Sequence, residues 1–85
     1  MEYVVVAFRS RAHTVKFHSF LLENGVSSEI INTPKEAGVG CGLSVKVATS
    51  LLPVVRKGVR IIALSSFAGF FKVKMTAGRR MVRSI

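Results

Sequence analysis

The sequence predicts an α+β fold, with two helices covering one face of an antiparallel sheet. Three observations predict it. Short runs rich in β-branched residues alternate with longer segments of helical period, in the order strand, helix, strand, strand, helix, strand. Apolar residues fill 49% of the 85 positions, enough for one packed core and too many for a disordered chain. No linker, repeat or low-complexity stretch divides the chain. Residues 1–85 are therefore expected to form one domain, with a core over 3–75 and a basic tail or hairpin over 76–85.

Tyr3 to Phe8 is apolar at both alternating faces, which predicts a central strand. Arg9-Ser10-Arg11 ends it. Ser10 is placed to cap a helix from Arg11 to Asn24, and Gly25 stops that helix. At the helical period Val15, His18, Leu21 and Leu22 fall on one face, with Thr14 and Phe17 at its edge. That face is expected to be buried, with Phe20 pointing away. Val26 to Asn32 reads as a second strand. Thr33-Pro34-Lys35-Glu36 predicts one short helical turn with Pro34 at its first position.

Val39 to Gly42 reads as loop, and Leu43 to Val47 alternates cleanly as a third strand. Ser50 is expected to cap a second helix ending near Ile62, with Pro53 in its first turn and Gly58 weakening it. Phe70 to Met75 predicts a fourth strand. Ala77-Gly78 is a turn, and Arg80 to Ser84 returns as a short fifth strand.

This order most often folds as a ferredoxin-like βαββαβ sandwich with sheet order 4-1-3-2. The topology brings the ends of the first and second strands to one edge of the sheet. Arg9-Ser10-Arg11, the loop Thr33–Gly42 and the connection Ser65–Gly69 should therefore meet there.

Thirteen Lys and Arg face four acidic residues, a formal charge of +9. Such a balance favours anionic partners, namely nucleic acid, an acidic protein surface or an oxyanion, though it also serves solubility alone. The longest apolar stretch, Ile61 to Phe71, holds Ser65 and Ser66 and falls short of the roughly 18 residues of a membrane span. No leader pattern opens the sequence. One cysteine makes no internal disulfide, which suits a reducing compartment, and the expected location is the cytoplasm. Two histidines and one cysteine lack zinc-ligand spacing, so neither metal nor cofactor is expected.

That cysteine, Cys41, lies between Gly40 and Gly42. Glycine neighbours leave a sulfur accessible and allow backbone N–H groups to turn toward it. Two readings stand: an accessible functional thiol, or a small buried residue filling a gap before the third strand. Several motifs accompany it: Phe8-Arg9-Ser10 ending the first strand, Leu21 to Gly25 closing the helix, Thr33 to Glu36, and Cys41-Gly42-Leu43. Together they resemble the putative selenium/sulfur carrier protein-like family of small bacterial proteins, over roughly residues 3 to 75. Serines more often precede the cysteine in that family, where this chain has Val39-Gly40. The resemblance implies a carrier of sulfur or selenium on Cys41, not a conventional catalyst, with donor and acceptor proteins as partners.

A carrier thiol acts as the thiolate, which cations and a helix N-terminus favour. The topology offers Arg9 and Arg11 at the start of the first helix and Lys35 in the cysteine's own loop. Gly40 and Gly42 supply N–H groups, and Pro34 shapes the loop. Ser10 and Thr33 are the hydroxyls expected nearby, with capping as their simpler role. His13 is a candidate proton partner or a solvated surface residue. His18, in the apolar stripe, reads as a partly buried, satisfied histidine.

The open face of the sheet is a second candidate surface. If Phe71, Val73 and Met75 of the fourth strand and Leu43, Val45 and Val47 of the third meet the helices, Lys46, Lys72 and Lys74 line the other face as an anion-binding surface. Its expected occupant is an acidic protein, a second copy of the chain or, less specifically, nucleic acid. Tyr3 and Phe8 lie on opposite faces of the first strand and the third strand has no aromatic, which disfavours base stacking. Phosphate contact through Lys72, Lys74, Arg79, Arg80 and Arg83 remains open.

Overall fold

The computed structural model describes residues 1–85 as a five-stranded antiparallel sheet with two helices. The elements run β1 (Glu2–Phe8), α1 (Arg11–Glu23), β2 (Glu29–Asn32), a 3-10 turn (Lys35–Ala37), β3 (Leu43–Val47), a second 3-10 turn (Thr49–Leu51), α2 (Leu52–Ile62), β4 (Phe67–Thr76) and β5 (Arg79–Ser84). The sheet order is β2-β3-β1-β4-β5. The expected four-strand order lies within it, and β5 extends the sheet beyond the four-strand plan at the β4 edge. No helix is long and apolar enough to cross a membrane.

β1 is central and buried on both faces from Val4 to Phe8. Val4, Val6 and Phe8 point toward the helices and pack with Phe17, Leu21, Val45, Val47 and Val55. Val5 and Ala7 point the other way, into a second apolar cluster with Phe71 and Val73. A strand with core on both sides loses the polar alternation of a half-wet strand, which explains its sequence.

Ser10 caps α1 as expected, its hydroxyl accepting from the His13 N–H at 3.2 Å. The buried stripe of α1 differs from the expected one. Thr14, Phe17 and Leu21 are buried, while Val15 and Leu22 are 46% and 52% exposed. Phe20 does not point away: it stacks on Phe17 at 6.2 Å and packs on the core. The cause is α2. Its buried Gly58 admits both rings, so that an added Cβ would meet Phe20 at 3.4 Å and Phe17 at 3.6 Å. This close approach rotates α1 toward its neighbour.

Smaller differences concern the caps. Pro34 precedes the 3-10 turn in extended conformation (φ −58°, ψ 133°) instead of starting it. Ser50 lies inside the second 3-10 turn, and Leu51 occupies the N-cap position of α2. β4 starts earlier than expected, at Phe67.

The register between β1 and β4 slips at Ala7/Phe8, beside Gly69 (φ 150°). This bulge puts Phe67 and Phe70, three residues apart, on the same helix-facing side. From there the phase of β4 is fixed. Phe71 and Val73 face away from the helices, opposite to the expectation, and Lys72 and Lys74 fall on the helix-facing side. Lys46 neighbours Tyr3, its ammonium 4.6 Å from the ring centroid, and Tyr3 packs on the far cluster. Lys46, Lys72 and Lys74 therefore do not share a face.

Nor is the far face bare. Ile31, Ala37 and Val39 of the β2–β3 segment pack against Val5, Ala7, Phe71 and Val73. A surface expected to be open thus carries its own small core.

Candidate functional site

The thiol sits where four segments converge. The end of β1, the start of α1, the loop before β3 and the start of β4 meet at one edge of the sheet. Arg9 N–H donates to Ser66 O at 2.8 Å, and Cys41 N–H donates to Phe8 O at 3.3 Å. Thr33 N–H donates to Gly42 O at 2.9 Å, closing the loop's base. The predicted meeting of these segments is therefore observed.

Two glycines make the turn. Gly40 has φ 96° and Gly42 φ 97°, a region L-side chains rarely adopt. A Cβ on Gly40 would lie 3.3 Å from Phe8 O and 3.7 Å from Thr33 Oγ1. Cys41, held between them, is free and half-buried.

Its Sγ lies 3.6 Å from Leu43 O, to which the S–H donates, and 3.7 Å from Thr14 Oγ1. Thr14 is fully buried in the first turns of α1. Its hydroxyl also lies 3.2 Å from Ser10 O and 3.3 Å from Leu43 O. A hydroxyl with two carbonyl acceptors and a sulfur beside it has a choice of partner. When the thiol ionises, Leu43 O loses the S–H, and the Thr14 O–H can turn from a carbonyl to the thiolate.

Cys41 and its flanking Gly40 and Gly42 thus hold the loop as expected, and Ser10 contributes through its backbone carbonyl to Thr14. The cations are arranged differently. Arg9 and Lys35, with Thr33, Pro34, Gly40 and Gly42, border a shallow open concavity of about 600 Å³ that Cys41 itself does not line. Arg11 is exposed, and none of Arg9, Arg11 and Lys35 forms an ion pair. Thr33 spends its hydroxyl on Ser44 Oγ, 2.6 Å away, and Pro34 is largely buried.

His13 is half-buried and bonded elsewhere than to the sulfur. Its Nδ1 is 2.6 Å from Ser66 Oγ, which also accepts from the Ser10 N–H at 3.2 Å. His18 is half-buried and bonds Ser28 Oγ at 2.8 Å, the satisfied histidine expected of that position. Lys46 pairs with Glu29 at 3.3 Å and Lys72 with Glu2 at 3.1 Å. The Lys72 hydrogen bond, then its charge, holds the Glu2 carboxyl below its usual value.

Thr14 and Ser66 were the site residues hardest to foresee. Thr14 stood at the edge of the expected helix face. A threonine one turn into a helix, at the edge that also receives the cysteine, was the available signal. Glu36 was also missed as an anchor. It lies in the cysteine loop and binds Arg80 of β5 across the far face.

No curated protein and no solved structure matches the chain. One family model does, described as Putative Se/S carrier protein-like, over residues 3–59. That span runs from β1 into α2 and contains Ser10, Thr14, the whole loop Thr33–Gly42 and Cys41. The chain therefore belongs to the Putative Se/S carrier protein-like family.

Proposed function

We propose that this protein carries sulfur or selenium on Cys41 and relays it between a donor and an acceptor protein. One observation supports this most: the single thiol is half-exposed, held between two positive-φ glycines, and faces a buried hydroxyl able to follow its ionisation. A cysteine that only filled a gap needs neither the glycine-shaped turn nor the hydroxyl.

The relay is thiol–disulfide exchange chemistry. The Cys41 thiolate attacks the terminal sulfane sulfur of a donor persulfide. A new S–S bond forms on Cys41 as the donor's S–S bond breaks, and the donor leaves as its thiolate. An acceptor nucleophile then takes the terminal sulfur, and Cys41 returns as thiolate. Selenium follows the same bookkeeping with a selenosulfide. The protein binds no cofactor for this step and acts as carrier, in a cytoplasmic setting that keeps the thiol reduced.

Mass spectrometry tests the reading. The native protein, exposed to a low-molecular-weight persulfide, should gain one sulfur on Cys41, and a thiol acceptor should remove it. The Cys41→Ser protein should gain none. A thiol that iodoacetamide reaches only after denaturation, or an adduct that no acceptor thiol removes, sinks the proposal.

A further inference from the structure

The strand β5 ends the sheet, so one of its edges is unpaired. The Ile85 N–H donates to Phe70 O at 3.0 Å, which sets the phase of the β4–β5 ladder. With Lys72 opposite Arg83 and Lys74 opposite Met81, Arg79, Met81 and Arg83 bond toward β4. Arg80, Val82 and Ser84 consequently turn their N–H and C=O groups outward. The edge is six residues long, with neither proline nor bulge to block it.

Beside this edge lies a groove of about 320 Å³ on the helix-facing side, lined by Glu2, Lys72, Lys74, Met81, Val82 and Arg83. Lys72 and Arg83 stand directly opposite each other, a like-charge pair that one carboxylate, Glu2, relieves only in part. Glu2 pairs with Lys72, leaving Lys74 and Arg83 without a carboxylate.

We propose that the β5 edge and this groove receive an extended acidic segment of a partner protein, added to the sheet as a sixth strand. Only a peptide backbone can use the outward N–H and C=O groups. Side chains on one face of an added strand recur every second residue, the same period that places Lys72, Lys74 and Arg83. Nucleic acid fits less well, because no aromatic lines the groove for bases to stack on. A second copy fits less well too, because β5 carries three arginines and no acidic residue, so two such edges repel each other. The inference concerns a surface separate from Cys41 and stands whether or not the carrier reading does.

Fluorescence anisotropy with a labelled peptide of alternating Glu and Val tests it. That peptide should bind, more weakly as salt rises, and shift the amide resonances of residues 79–84. The corresponding Lys/Val peptide should not bind. Lys74→Glu with Arg83→Glu should lower affinity about tenfold. Ser84→Pro, which removes an outward N–H and leaves the β4 ladder intact, should weaken binding by a separate route, and it decides the matter if the charge-reversed protein does not fold. Cys41→Ser should leave binding unchanged. Absence of peptide binding, displacement of the peptide by single-stranded oligothymidine, light scattering that shows a β5-paired dimer, or affinity indifferent to Ser84→Pro overturns the proposal.

Discussion

Arg80 grips Glu36 with a two-pronged guanidinium–carboxylate contact, Nε to Oε2 at 3.1 Å and Nη2 to Oε1 at 2.8 Å. One residue belongs to the cysteine loop and the other to the fifth strand, so the contact straps the loop across the far face of the sheet. Beneath it, Ala37 and Val39 rest on the far cluster. The loop that presents Cys41 is thereby fastened at both ends, by Thr33 to Gly42 at its base and by Glu36 to β5 at its tip.

The strap should fail in acid. The Arg80 hydrogen bond, followed by smaller contributions, holds the Glu36 carboxyl below its ordinary value of 4.5. A carboxyl depressed in the folded state contributes fully above that ordinary value, and its contribution is lost as pH falls through the folded value. The protection of amides in residues 35–41, measured against the intrinsic exchange rate at each pH, should therefore fall below about pH 4.5, and Glu36→Gln should show the lower protection already at neutral pH. Both groups are solvent-exposed, so global stability should change little. Equal exchange in the variant and the parent at neutral pH would mean that the apolar contacts alone hold the loop.

Thr14 is expected to tune the thiol. Thr14→Val keeps the shape and removes the hydroxyl that faces Sγ, Ser10 O and Leu43 O. The variant should lose about 0.5–1.5 kcal/mol of stability from the missing hydroxyl hydrogen bond, since Ser10 O keeps the Thr14 N–H and Leu43 O keeps the S–H. Its alkylation by iodoacetamide at fixed pH should slow, because nothing then donates to the thiolate from α1. Thr14→Ser should restore the rate. A valine variant that reacts as fast as the parent would assign Thr14 a packing role only.

Gly40→Ala should damage the loop without touching the sulfur. Alanine at φ 96° is strained, and its Cβ would press on Phe8 O, the acceptor of the Cys41 N–H. A cost of about 1–3 kcal/mol follows, which for a domain of this size lowers the melting temperature by about 4–8 °C per kcal/mol. Gly25→Ala is the control, since its Cβ would meet nothing within 4 Å. It isolates the price of a positive φ, and the difference between the two reports the close contact at Gly40.

What could be read from the chain was what neighbouring residues decide. The Ser10 cap, the Gly25 stop and the extent of the strand Leu43 to Val47 are local signals, and they fell where expected, although Ser44, on the face expected to be wet, is fully buried. The order of the first four strands followed from the order of elements, and with it the edge where Cys41 sits, while β5 extended the sheet beyond that plan. Phase was harder. The apolar positions of α1 suit two adjacent faces, and Gly58 on another helix selects between them. In β4, Phe70 and Phe71 are equally apolar, and the slip beside Gly69 decides which one meets the helices. At the site, Cys41 and its glycines were visible as a motif. The Thr14 hydroxyl was not, because its partners lie 27 and 29 residues away in the chain.

Phe71 and Leu22 give that choice of phase an experimental form. Had Phe71 faced the helices over an otherwise wet sheet, its far neighbours would be solvent and the far face would carry no core. In the structure Phe71 is 8% exposed, beneath the strapped loop, and Leu22 is 52% exposed on α1. Phe71→Ala should cost about 3–5 kcal/mol, and it should also loosen the loop, raising amide exchange at Val39 and Cys41. Leu22→Ala should stay within about 0.5 kcal/mol of the parent. Denaturant melts supply the first comparison and hydrogen exchange the second. The two readouts separate burial from position: a stability loss in Phe71→Ala with unchanged exchange in the loop would place the ring in the helix-side core, against the packing described.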